Sequence, residues 1–177
     1  MSPTKKLTLS ALVAAICVVF LALSQVLPRV TLSLAALAGV FPAVTVIVCG
    51  YGWAAGTAAV AALLALLLLP VKTAGIWFLF FFGHYPLWKA MIERFQYKIG
   101  KPWLGWVLKI LGFAACMLLL YFLFGQLFAA GIPYAFTEYM AGPYILVIAL
   151  LLAFVFYDIA FSILIGWFRI KVLPKIK

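Results

Sequence analysis

From Leu7 to Leu27 the chain carries no charged side chain, and five more long apolar runs follow it. Such runs leave few choices. Inside hydrocarbon every backbone N–H and C=O must be satisfied internally, so a spanning segment is either a helix or a strand of a closed barrel. Barrel strands alternate polar and apolar side chains over about ten residues, and these runs do not alternate. The runs cover about 7–27, 32–49, 53–69, 74–92, 103–128 and 144–168. Each is near the ~20 residues needed to cross ~30 Å of hydrocarbon. The expectation is an all-α polytopic membrane protein, with residues 1–177 forming a single six-helix membrane domain. Composition agrees: 69% of residues are hydrophobic and 9% charged, a balance that excludes a soluble domain.

The charge is +10, with thirteen Lys and Arg against three acids. Without a soluble face this does not read as a nucleic-acid patch. It reads as topology. Lys5, Lys6, Arg94, Lys98, Lys101, Arg169, Lys171, Lys175 and Lys177 fall on one side of a six-span chain, and only Arg29 and Lys72 on the other. That bias puts both termini in the cytoplasm. Trp103, Trp106 and Trp167 fit inner interface anchors, and Trp77 an outer one. The alternative of a cleaved signal peptide at the N-terminus fits poorly, because the first run exceeds an h-region of about 7–15 residues. The cysteines Cys17, Cys49 and Cys116 have no metal-ligand spacing and read as small packing residues.

The stretch Phe78 to Arg94 concentrates the polar groups. His84, Lys89, Glu93 and Arg94 follow an aromatic run, and Pro86 predicts a kink between His84 and Lys89. Ionisable groups in hydrocarbon are costly and face a protein interior or a wet cavity. Asp158 sits deep in the sixth run and needs compensation of roughly 2.5–3.5 kcal/mol. It is expected to pair with Lys89 or Lys109, either to set helix register or to handle substrate or protons. Lys89 and Glu93, four apart, read as a boundary salt bridge. His84 reads as a hydrogen-bonded packing residue or as a ligand contact.

Small residues recur four apart: Ser10 and Ala14, Ala11 and Ala15, then Ala35, Gly39 and Ala43, then Gly52 and Gly56. They allow close helix approach, for packing within the bundle or for docking a partner. On the outer side, Arg29, Lys72, Tyr134, Glu138 and Tyr139 lie in connections, and the stretch from Ala129 to Pro143 suits a lid. Those residues read either as a ligand site or as an interface belt with ordinary loop charges. There is no HExxH, GxSxG or Walker motif. With one His and three acids, an intramembrane enzyme is poorly supplied, and no cofactor or metal is expected.

The opening Lys5-Lys-Leu-Thr-Leu-Ser-Ala-Leu-Val-Ala-Ala15 resembles that of substrate-binding (S) components of energy-coupling factor (ECF) transporters. There a basic tail leads into a helix with an Ala-xxx-Ala motif, here Ala11 and Ala15. Phe82 to Glu93 and Leu67 to Lys72 look like an uncharacterised subgroup of that family, with Val71 standing where the subgroup has an acidic residue. The resemblance implies capture of a vitamin or similar micronutrient at the outer face. It also implies work with a transmembrane coupling subunit and two ATPase subunits in the bacterial cell membrane. The expected contacts are Arg29, Lys72, Trp77, His84, Tyr134, Glu138 and Tyr139 for substrate, and Ala11, Ala15, Gly39 and Gly56 for docking. A membrane scaffold without a small ligand is the alternative.

Overall fold

A computed structural model of the protein describes residues 1–131 and 143–171. Among them every regular element is helical. Five stretches are long and apolar enough to cross a membrane: Pro3–Val26, Pro28–Cys49, Tyr51–Leu68, Pro102–Leu123 and Ile148–Lys171. The protein is a helical membrane protein. Its contacts divide it into two compact units, Met1–Gly131 and Ile132–Lys177.

In the first unit, α1 spans Pro3–Val26. It starts four residues before the apolar run because Ser2 caps it: the Lys5 N–H donates to Ser2 Oγ at 3.4 Å, and Pro3 occupies the first turn, where its missing N–H costs nothing. A 3₁₀ turn at Pro28–Val30 leads into α2, Thr31–Cys49. Gly50, at φ +97°, turns the chain directly into α3, Tyr51–Leu68. The run expected over 53–69 therefore begins two residues early, at Tyr51.

These three helices pack on one another through small side chains. Ala14 and Cys17 of α1, Ala35 and Ala38 of α2, and Ala54, Ala58, Ala61 and Ala65 of α3 are buried. Pro42 lies inside α2 without ending it. A proline there removes the N–H that would bond the carbonyl four residues back, which is Ala38. The Cys17 thiol donates to that same Ala38 carbonyl at 3.4 Å. Cys17 is thus more than filler: it supplies the donor that Pro42 takes away.

The fourth run is not the single helix expected over 74–92. Its pieces are α4, Thr73–Trp77; a π turn, Phe78–Phe82; and α5, Tyr85–Ile99. The π turn is closed by the Gly83 N–H to the Phe78 carbonyl at 2.7 Å. A side chain at Gly83 would meet that carbonyl at 2.8 Å and the Phe78 ring at 2.9 Å. The break therefore falls at Gly83–His84. Pro86 does not kink a helix; it sits in the first turn of a new one, where proline is tolerated. The cause of the break is the crowded aromatic run, which takes one residue more per turn than an α-helix.

Gly100, at φ +72°, ends α5 in the left-handed conformation, and Pro102 opens α6, Pro102–Gly131. α6 returns alongside α5. A side chain at Gly112 would strike the Trp88 ring, and one at Gly105 the Gln96 amide. These two glycines, seven residues apart, let the helices approach closely. Phe81 meets Phe113 edge-on at 5.3 Å and Tyr85 at 5.2 Å, closing an aromatic layer beside the break. The second unit contains α7, Pro143–Lys171.

Candidate functional site

Two places in the first unit gather polar groups. One is the end of the bundle where α1 and α3 finish. Gln25, on the last turn of α1, presents both halves of its amide to Val71. Its Nε2 donates to the Val71 carbonyl and the Val71 N–H donates to its Oε1, each at 3.1 Å. The side chain thus acts as one rung of a β-ladder. It ties the α3–α4 connection to α1 across 46 residues of sequence. Lys72, next in the chain, is half-buried and donates to the Leu69 carbonyl at 2.5 Å. Arg29 is exposed on the 3₁₀ turn that follows α1. Two cations therefore share a braced end of the bundle. Gln25 was missed in the sequence; its only signal was an amide closing an otherwise apolar helix.

The other place is the α5–α6 hairpin. Lys89 is 1% exposed and its ammonium lies 3.0 Å from Glu93 Oε1. Lys109 of α6 reaches the same oxygen at 3.1 Å. The expected Lys89–Glu93 bridge is present, and one half-exposed carboxylate serves two buried lysines. Lys109 also lies over the Trp106 ring, 5.4 Å from its centre. Asp158 is buried on α7. It belongs to the second unit, and Ser162 Oγ donates to its backbone carbonyl at 2.8 Å.

The remaining expected ligand residues are scattered. Trp77 is 3% exposed, buried within α4, and is no interface anchor. His84 is exposed about 18 Å along the segment from Lys72, taking 1.5 Å per residue. It lines a groove of about 170 Å³ whose far wall is Ala55, Ala58, Ala59 and Ala62 of α3. Tyr134, Glu138 and Tyr139 lie outside the described residues.

The small residues separate into two sets. Ser10 and Ala14 face inward, while Ala11 and Ala15, one position on, are exposed. On α3, Gly52 and Gly56 are exposed, with nothing within 4 Å of where a side chain would start. Gly39 lies on the other side of this division. A side chain there would come within 2.6 Å of the Phe82 carbonyl, so its smallness serves the contact between α2 and the π turn, not an outside partner.

Comparison with family models, curated proteins and solved structures found no match for this chain.

Proposed function

We propose that this chain is the substrate-binding membrane subunit of an ECF-type importer. It takes a vitamin or similar micronutrient at the outer face of a bacterial plasma membrane. A separate coupling subunit and two ATPase subunits supply the energy. The observation that carries the reading is that two packed helices leave small residues open. Ala11 and Ala15 on α1 and Gly56 on α3 are exposed on helices that pack against each other. A bundle that used small residues only for its own packing would turn them inward, as α2 does with Ala35, Gly39 and Ala43. Small residues on an open face invite another helix.

The reading needs six crossings, with both termini cytoplasmic. Its support is the setting of the broken segment. α2, α3 and α6 each touch all three of its pieces, α4, the π turn and α5. A segment flanked along its whole length by spanning helices crosses with them. Residues 73–92 alone supply about 30 Å at 1.5 Å per residue. On this topology the Gln25–Val71 brace, Arg29 and Lys72 stand at the outer end, where two cations suit an anionic group on the solute.

Purification from native membranes in mild detergent tests the proposal. The expected result is a membrane coupling protein with two ATPases, and a bound small molecule by mass spectrometry. Ala15→Leu is expected to lose those partners while its unfolding free energy stays within the range of an ordinary surface change, about ±0.5 kcal/mol. A preparation with neither partners nor small molecule overturns the importer reading in favour of a scaffold.

A further inference from the structure

The end of the α5–α6 hairpin carries an unusual outward face. α5 is the most two-faced helix of the chain. It meets α6 through Trp88, Glu93 and Gln96. On the outward arc Met91, Phe95 and Ile99 follow one another at four-residue spacing, and all three are exposed. Beside that apolar stripe run Arg94 and Lys98, one turn apart and exposed, with exposed Lys101 in the turn beyond them. Glu93, the nearby carboxylate, is engaged by Lys89 and Lys109 and does not offset these cations.

The membrane level of this face follows from α6 alone. Its apolar span begins at Pro102. Trp103 and Trp106, both exposed, sit in its first turns as interfacial side chains do. Arg94, Lys98 and Lys101 therefore run from just inside that boundary out to headgroup level, with Met91, Phe95 and Ile99 beside them on the same length of helix, so that a lipid meets cations and apolar side chains together.

We propose that the end of the α5–α6 hairpin is a binding site for an acidic phospholipid. Its phosphate is held by Arg94, Lys98 and Lys101, and its acyl chain lies on Met91, Phe95 and Ile99. This stands whether or not the chain is an importer subunit. A zwitterionic lipid gains little here, since its own ammonium cancels the attraction.

Two measurements on the full chain test it. In native mass spectrometry after delipidation, titration with phosphatidylglycerol and with phosphatidylcholine is expected to show the acidic lipid binding more tightly. The combined Arg94→Gln, Lys98→Gln and Lys101→Gln variant loses about fivefold in that preference for each cation removed. An unchanged preference overturns the site. Tyr97 is 92% exposed, so a benzophenone amino acid in its place leaves folding untouched. Irradiated in vesicles of equal phosphatidylglycerol and phosphatidylcholine, it is expected to crosslink mainly to phosphatidylglycerol. Adducts matching the bulk mixture overturn the proposal, and so does a protein adduct as the main product when the same variant is irradiated in native membranes.

Discussion

Pro42 and Pro86 both lie in apolar segments, yet α2 runs through the first while the second stands in the opening turn of a new helix. The difference lies in the neighbours. Around Pro42 the packing is Ala, Gly and Cys, so helices come close enough for the Cys17 thiol to take the carbonyl the proline leaves open. Around Pro86 the packing is Phe, Trp and Tyr. There the chain widens into a π turn and restarts, and the proline takes a place where no donor is needed. In the first region a neighbouring helix supplies the missing donor; in the second the helix itself is interrupted.

The contact joining the two regions gives the largest expected effect. Gly39→Leu drives a side chain into the Phe82 backbone, and a loss of about 3 kcal/mol is expected, at the upper end for overpacking. Unfolding in detergent, followed by circular dichroism, measures it; a loss under 1 kcal/mol would mean the π turn is not held by α2. Next comes Glu93→Gln. Breaking a buried pair costs about 3–5 kcal/mol, but Glu93 is 46% exposed, so solvent screening reduces the expected loss to about 1–2 kcal/mol.

Cys17→Val tests the donor assigned to the Pro42 region. It removes one buried hydrogen bond and is expected to cost about 1 kcal/mol, whereas Cys17→Ser keeps a donor and costs less. In a Pro42→Ala background the Ala38 carbonyl regains its own helical partner, so the Cys17→Val cost shrinks. Equal costs in both backgrounds would refute the assignment. The smallest effect belongs to Pro86→Ala, expected to change stability by no more than about 0.5 kcal/mol, since a first-turn proline replaces no hydrogen bond. A large gain would show that the proline strains the segment after all.

Much of the fold was legible because it is local. Hydropathy marked the helical membrane character. Ser2-Pro3, Gly50 and Gly100-Lys-Pro102 carried the cues for helix starts and ends, although the expected boundaries left Pro3–Lys6 outside α1 and Tyr51 in a turn. Lys89 and Glu93 were legible as a pair because a helix sets four-residue neighbours side by side. The sharing of Glu93 with Lys109 was not, because it depends on α6 lying against α5 through Gly105 and Gly112. The break at Gly83 was misplaced at Pro86, since the proline's own chemistry is visible in sequence and the crowding of Phe78 to Phe82 is not.

The apolar runs by themselves determined that this chain is made of membrane helices, because the demand of the backbone for internal partners in hydrocarbon acts on each segment separately. Only tertiary structure decided that Ala11 looks outward and Ser10 inward, that Gly39 belongs to the interior, and that a thiol on α1 completes a carbonyl on α2. Two small-residue stripes on one helix are equivalent until another helix covers one of them.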